Sequence, residues 1–247
     1  MKPKILSRAE DGVLRLTFNR PDKKNALDRD MYRALVAGLE GAQADDAVRA
    51  VLLAGAGADF TAGNDINDFL SFDAREEFPA LSFVRALADF DKPLVAAVAG
   101  DAVGVGATML LHCDLAYAAP SAKFRFPFVD LGLVPEAGAS LLAPRLFGRA
   151  KAAQYLLLCE NFGAEEALRL GLVNEVVEEN GLFYCAEDAA RRLAQKPVEA
   201  LRATRRLLRG DPSETLARID VEARLFRQAL EEPALQARLA AFFAKDR

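Results

Sequence analysis

The stretch KPLVAAVAGDAVGVGATM, residues 92–109, decides the fold. Its apolar run at 93–99 is typical of a buried strand, and this run ends at Gly100. Gly104 and Gly106 then open a segment with helical periodicity, so backbone N–H groups should point out of a helix N-terminus. Glycine lets a ligand approach the main chain closely. The pattern therefore predicts main-chain donors that face a ligand at the end of a strand.

A second stretch, FTAGND at residues 60–65, follows another apolar run, RAVLLAG at 49–55. We expect its turn, Ala62-Gly63-Asn64, to aim a second N–H group at the same point. Two such donors suit a carbonyl oxygen that becomes an enolate or a tetrahedral oxyanion, and losing one costs about 3 kcal/mol of barrier. The two stretches together predict an oxyanion hole, and Glu136 follows in LGLVPEAG.

Periodicity in the rest of the chain favours an α/β protein. Strands are predicted at 13–18, 50–53, 94–98, 115–118 and 124–126, and helices at 28–43, 74–90 and 137–147. From residue 197 onward the sequence becomes helical and charged. We therefore predict a core domain at 1–196 and a C-terminal helical region at 197–247.

Length and composition indicate an enzyme-sized chain with one main core. The 247 residues are 52% hydrophobic, and the net charge of −4 gives no reason to expect nucleic acid or a membrane surface as a partner. The first residues lack an apolar signal core and no run reaches about 18 apolar residues, so we expect a cytoplasmic protein. Three scattered cysteines and a single histidine predict neither a metal site nor a disulfide framework.

At these motifs the chain resembles the crotonase superfamily, the enoyl-CoA hydratases and isomerases. The resemblance runs in order through residues 18–32, 60–66, 92–118, 124–148, 164–177 and 241–247. It implies a spiral of repeated ββα units, with C-terminal helices that build a homotrimer or a dimer of trimers. It also implies an acyl-CoA substrate, of which coenzyme A is a part, and no separate cofactor.

The resemblance assigns the two oxyanion donors to the backbone N–H groups of Asn64 and Val105, the latter directly after Gly104. It also places Thr108 and Phe128 where the hydratases carry two glutamates. Hydration of a double bond is naturally shared by two acid/base groups, so we expect little hydratase activity. Shifting a 3-enoyl double bond to the 2-enoyl position needs one carboxylate, and Glu136 matches the single glutamate of the Δ3,Δ2-enoyl-CoA isomerases.

Other interpretations of the acidic residues stay open. Glu136 follows Pro135, so it could instead favour the dipole of the helix predicted at 137–147. Asp130 competes as the base, although an Asp before a Leu-Gly turn more often forms the turn. Apolar neighbours should raise the pKa of Glu136, and the helix N-terminus should keep that rise modest. A thioester hydrolase, a weak hydratase or a non-catalytic acyl-CoA-binding homologue are the alternative functions.

The resemblance also implies a set of substrate-binding residues. Besides Gly104, Thr108 and Phe128, these are Lys24, Ala26, Ala62, Asp65, Ile66, Phe242 and Lys245. Lys24 lies in a loop near the nucleotide, where an ordinary surface lysine explains it nearly as well. Phe242 and Lys245 match positions near the adenine and phosphates, often supplied by a neighbouring subunit.

Three further features favour structural roles. His112 follows Val105 by about two helical turns, away from the end that should face the substrate, so we expect a packed histidine. Asp114 should make structural hydrogen bonds. The arginines at 202, 205, 206 and 209 could bind phosphate, but their helical spacing favours one solvated face.

Overall fold

The computed structural model describes residues 3–65, 79–232 and 235. The strands are Ile5–Glu10 (β1), Val13–Phe18 (β2), Ala50–Gly55 (β3), Leu94–Val98 (β4), Asp101–Val103 (β5), Leu115–Ala118 (β6), Lys123–Arg125 (β7), Phe162–Gly163 (β8) and Glu175–Val176 (β9). The α-helices are Arg29–Ala44 (α1), Pro79–Asp89 (α2), Val105–Thr108 (α3), Ala139–Phe147 (α4), Arg149–Leu157 (α5), Ala164–Arg169 (α6), Glu179–Ala194 (α7), Val198–Arg209 (α8) and Pro212–Leu230 (α9). Short 3-10 helices lie at Pro21–Lys23 and Met109–His112.

Six strands form the main sheet, in the order β1-β2-β3-β4-β6-β9. Only the β1–β2 pair is antiparallel, and the other neighbours run parallel. A second sheet has the order β5-β7-β8. The α/β class is thus confirmed, because crossover helices cover the parallel strands, as such strands require.

Both faces of the main sheet are buried, which is why its central strands are apolar without alternation. One face packs under α1 and α2, where Leu35 and Phe83 are fully buried. The other face packs under α7, with Leu52 and Val95 against Ala186. The sheet is therefore a rigid layer whose strand ends fix the loops that follow them.

Two of those loops leave the same edge of the sheet. Strands β3 and β4 are parallel neighbours, with Ala54 paired with Ala97 near their carboxyl ends. Residues 56–65 follow β3, and the β5–α3 turn follows β4. Carboxyl ends of parallel strands are the common position for ligand sites in α/β proteins.

The predicted elements agree with the structure in type: β2, β4 and β6 have the predicted bounds, and the other elements differ by a few residues. Helix α1 is capped by Asp28, whose side chain accepts from the Met31 N–H at 3.0 Å. Of the helix predicted at 74–90, residues 74–78 lie outside the described residues and α2 accounts for most of the rest. The helix predicted at 137–147 begins at Ala139, and the strand predicted at 124–126 spans Lys123–Arg125.

The predicted domain boundary falls between α7 and α8, and the division into two domains stays a prediction. Helix α9 packs against α2 and α4, and it buries Ile219 and Phe226. None of the helices in the described ranges is long and apolar enough to span a lipid bilayer.

The arginines of α8 contradict the expectation of one solvated face. Arg205 is only 5% exposed, and its Nε donates to Asp114 Oδ2 at 2.8 Å. Arg209 donates to the Phe90 carbonyl at 3.1 Å. Arg205 also donates to the Phe90 carbonyl, just after α2, so Arg205 and Arg209 face inward, whereas Arg206 is 68% exposed.

Candidate active site

The two glycine-containing stretches are joined directly by backbone hydrogen bonds. The Phe60 N–H donates to the Ala99 carbonyl at 2.7 Å, and the Thr61 N–H to the Asp101 carbonyl at 2.9 Å. The Val103 N–H returns a bond to the Thr61 carbonyl at 3.0 Å. The loop after β3 therefore lies along β5 and reaches the start of α3.

Two glycines permit this close approach. A Cβ atom on Gly63 would lie 2.6 Å from the Val103 carbonyl oxygen. A Cβ atom on Gly106 would lie 2.7 Å from Thr61 Cγ2, and 2.9 Å from its carbonyl oxygen. Any side chain at either position would separate the two stretches, so glycine is a steric requirement here.

The expected oxyanion donors lie at the two ends of this contact. Gly104 is the N-cap of α3, and its carbonyl accepts from the N–H groups of Ala107 and Thr108. Val105 is therefore the first residue of the helix, where the geometry supplies no intrahelical acceptor for its N–H. Within the described ranges, neither the Asn64 N–H nor the Val105 N–H donates to a backbone carbonyl.

The side chain of Asn64 is held from α1. Tyr32 is buried, and its hydroxyl donates to Asn64 Oδ1 in a short hydrogen bond. This bond orients the residue that carries one of the two donors, and sequence reasoning missed it. No local pattern links residues 32 positions apart.

A cleft of about 530 Å³ that opens to solvent lies beside Asn64. Its walls come mainly from α2 and α9 and are mostly apolar. The lining residues in the described part of the chain are Asn64, Ala80, Leu81, Val84, Glu136, Ala137, Ile219, Ala223, Phe226, Arg227 and Leu230. A mostly apolar lining with one carboxylate is the character of a small-molecule site.

Glu136 is the one carboxylate among those lining residues. Its Oε1 accepts a short hydrogen bond from the hydroxyl of Thr108, which is fully buried at the end of α3. Helix α3 therefore presents the Val105 N–H at its first turn and holds Glu136 one turn later. Thr108 is not a carboxylate, as the sequence shows, but its role as a donor to Glu136 was missed.

Burial raises the pKa of Glu136 from its ordinary value of 4.5 to about 7. Desolvation is the main cause, the Thr108 hydrogen bond opposes it, and the negative charge of Glu222 adds to it. The sequence predicts only a modest rise because it assumes that a helix N-terminus faces Glu136. In the structure α4 begins at Ala139, three residues after Glu136, and another carboxylate lies at the N-terminus of this helix.

That other carboxylate is Glu222, which is buried on α9. Its Oε2 accepts from the Gly138 N–H at 2.6 Å and its Oε1 from the Ser140 N–H at 2.9 Å. The two bonds satisfy donors at the N-terminus of α4, which has no cap from its own Gly138. Glu222, and not Glu136, therefore accepts hydrogen bonds from these N–H groups at the start of α4.

Asp130 lies in a different environment. It is 41% exposed and pairs with Arg125 at 2.9 Å. It is absent from the residues that line the cleft. Phe128 is buried in the hydrophobic core and likewise does not line the cleft.

The other described residues predicted from the sequence lie near Asn64. Lys24 pairs with Asp101 at 2.7 Å, and its carbonyl accepts from the Ala62 N–H. The Ala26 carbonyl accepts from Arg20, which also pairs with Asp65 at 2.9 Å. Ile66, Phe242 and Lys245 lie outside the described residues.

His112 and Asp114 have the structural roles that the sequence predicts. His112 is buried, and its Nε2–H donates to the Ala137 carbonyl at 2.7 Å. Desolvation lowers the pKa of His112 to about 4, so the ring is neutral at pH 7. Asp114 accepts from the Leu94 N–H at 2.8 Å and from Arg205.

The model of the family described as enoyl-CoA hydratase/isomerase matches residues 8–247. The chain belongs to this family. A solved enoyl-CoA hydratase/isomerase from Pseudoalteromonas atlantica T6c superposes with a TM-score of 0.93 and 40% identity, over 98% of each chain. The crotonase fold is thereby established for this member of the family.

Two curated relatives are similar to this chain over most of its length. The 1,2-epoxyphenylacetyl-CoA isomerase of Escherichia coli K12 is 37% identical over 98% of this chain and 95% of its own length. Enoyl-CoA delta isomerase 2 of Rattus norvegicus is 38% identical over 88% of this chain. The match spans 57% of the rat protein.

Proposed function

We propose that this family member isomerises 3-enoyl-CoA thioesters to the 2-enoyl form, with Glu136 as the proton shuttle. The observation that carries the proposal is a half-buried carboxylate with a pKa of about 7 in an apolar cleft, beside Asn64. A base with this pKa is largely ionised just above neutrality and remains basic enough to take a proton.

The reaction needs one base and one oxyanion hole. The Glu136 carboxylate removes a proton from C2 of the acyl chain, and the electrons move to the thioester oxygen. The N–H groups of Asn64 and Val105 donate to the resulting enolate. The double bond then moves from C3–C4 to C2–C3 as the same carboxyl group returns the proton to C4. This route requires no cofactor beyond the coenzyme A of the substrate.

The residues around Glu136 favour isomerisation over hydration. Thr108 supplies only a hydroxyl, and this hydroxyl already donates to Glu136. Phe128 is buried in the core. No second carboxylate among the described lining residues can orient a water molecule, which hydration demands.

The test compares two substrates and two variants. The wild-type enzyme should isomerise a 3-enoyl-CoA and hydrate crotonyl-CoA slowly. Glu136→Gln should lower kcat by about 100-fold or more, since a lost general base costs this much, while calorimetry still shows acyl-CoA binding. Asp130→Asn is the matched control and should keep turnover.

The pH dependence follows from the raised pKa. Glu136 acts as a base only when ionised, so kcat/KM should rise with pH through about 7 and level off above it. A hydration rate equal to the isomerisation rate would contradict the proposal. So would near-native turnover in Glu136→Gln together with its loss in Asp130→Asn.

A further inference from the structure

Glu222 lies behind the turn that carries Glu136 and does not line the cleft. We propose that Glu222 is a positioning residue for Glu136, which clamps the turn at 137–140 onto α9 and places a second negative charge behind the base. The inference rests on the proposed function. It adds a residue that affects the reaction without lining the cleft where the substrate would bind.

The turn at 137–138 needs a clamp because its backbone is unfavourable. Ala137 has φ of 60° and Gly138 has φ of 72°, so two consecutive residues are left-handed. For alanine this conformation costs about 1 kcal/mol, and such residues persist only where the surroundings hold them. Glu136 directly precedes this pair, so the direction of its side chain depends on the turn.

Two side chains fix the turn from two sides. His112 donates to the Ala137 carbonyl at 2.7 Å from one side. From the other side, the two oxygens of Glu222 accept from the N–H groups of Gly138 and Ser140 at 2.6 and 2.9 Å. A Cβ atom on Gly138 would lie 3.1 Å from Thr215 Cγ2, which shows how closely α9 approaches the turn.

The bonding pattern of Glu222 suits an ionised carboxylate. Both of its oxygens accept from N–H groups, and a protonated carboxyl group would turn one of them into a donor. Its charge also lies at the N-terminus of α4, where the helix dipole favours an anion. Desolvation raises the pKa of Glu222, whereas the hydrogen bonds from Ser140 and Gly138 lower it.

The negative charge of Glu222 acts on Glu136 across this turn. It is one of the causes that raise the pKa of Glu136, in addition to desolvation. The other charged or titratable groups of the described elements that face the pair are His112 on the 3-10 helix and Arg218 and Arg227 on α9. Removing the charge of Glu222 should therefore make Glu136 more acidic.

Two variants separate the clamp from the charge. Glu222→Gln removes the charge and turns one acceptor into a donor that faces an N–H group. We expect kcat to fall about tenfold or more, since a small misplacement of a catalytic group is costly, and the acidic limb of kcat/KM to move to lower pH. Glu222→Asp keeps the charge but is too short to hold both N–H groups, so kcat should fall while the limb stays in place.

Glu214→Gln is the matched control. Glu214 is also on α9 and pairs with Arg145 on α4 at 2.7 Å, but its side chain is 59% exposed. This variant breaks a link between the same two helices without touching the turn. It should keep the wild-type kcat and the wild-type pH profile.

A second readout does not depend on turnover. The carboxyl-carbon signal of Glu136 can be followed by NMR as a function of pH in the wild type and in Glu222→Gln. The Glu136→Gln variant lacks this signal and so assigns it. We expect its midpoint to fall to lower pH in Glu222→Gln. If no 3-enoyl-CoA is turned over, the proposed function fails, and this titration still decides the role of Glu222.

Either of two results overturns the inference. One is an unchanged Glu136 titration in a folded Glu222→Gln protein. The other is a wild-type kcat in Glu222→Asp, which also serves as the test if Glu222→Gln does not fold. Loss of activity that only parallels loss of folded protein, measured by thermal melting, counts against a positioning role.

Discussion

At the scale of single residues, the protonation of Glu136 is set by three neighbours with opposite effects. The apolar cleft and Glu222 raise its pKa, and the Thr108 hydroxyl lowers it. The net value of about 7 is high for a glutamate but still allows ionisation near neutrality. The cleft therefore holds a base whose strength depends on individual contacts.

Thr108→Val tests the contact that opposes the shift. Valine keeps the shape of threonine but cannot donate to Glu136 Oε1, so the ionised form loses a hydrogen bond. The pKa of Glu136 should rise above about 7, and the acidic limb of kcat/KM should move to higher pH. The pH–rate profile measures this directly.

The shift expected for Thr108→Val is opposite in direction to that of Glu222→Gln. Thr204→Val, at an exposed position on α8, is the control and should leave the profile unchanged. A limb that stays in place in a folded Thr108→Val protein would show that the hydroxyl does not act on Glu136.

At the scale of elements, the short helix α3 links Val105, the proposed oxyanion donor, to Glu136, the proposed base. Val105 begins the helix, and Thr108 ends it beside Glu136. The helix has only four residues before the chain tightens into the 3-10 turn Met109–His112. His112 at the end of that turn supports the same site through the Ala137 carbonyl.

Val105→Pro removes one donor while leaving the helix able to start. Proline has no N–H and is tolerated in the first turn of a helix. We expect turnover to fall by about 100-fold or more, because one oxyanion-hole donor is worth that much. Steady-state kinetics on a 3-enoyl-CoA measure it.

Val105→Ala is the control for Val105→Pro, since alanine changes the side chain and keeps the N–H. It should keep most of the activity. Unchanged turnover in folded Val105→Pro would place the oxyanion hole elsewhere.

At the scale of the whole molecule, the exposed apolar side chains lie mostly away from the cleft. Leu207 and Leu208 on α8 are 86% and 83% exposed. On α9, Ile219 and Phe226 are buried, whereas Val221 and Leu225 are 40% and 44% exposed. Among the described residues, these two leucines of α8 are the most exposed large apolar side chains, while Arg205 of the same helix is buried.

We propose that α8 contributes to a homotrimer or a dimer of trimers. A replacement of both Leu207 and Leu208 by Glu should reduce the assembly to smaller species, because charges would be buried at the contact. Sedimentation at micromolar concentration measures the mass of each form.

Glutamates in place of Leu157 and Leu158, which are exposed on another helix, make the matched control. This control should keep the wild-type mass. A wild-type protein that sediments as a monomer would contradict the proposal, as would a control that dissociates while the α8 variant does not.

The sequence by itself determined the α/β class, the main strands and the place where the two glycine-containing stretches meet. Apolar runs of strand length define buried strands whatever their neighbours, and Gly63 and Gly106 mark close backbone contacts that no other residue permits. Pro135-Glu136 likewise stands out as a carboxylate in an apolar stretch. These features are local, so a pattern along the chain is sufficient to find them.

Only the tertiary structure decided what surrounds Glu136 and which way α8 faces. Thr108, His112 and Glu222 come from three different elements and meet at one turn. Arg205 is buried because Asp114, some 90 residues earlier, accepts from it. The only sequence signal for Glu222 was a charge between the buried residues Ile219 and Phe226 of one helix face. The strength of the base depends on burial and on charges brought together by folding, and these are properties that no spacing along the chain encodes.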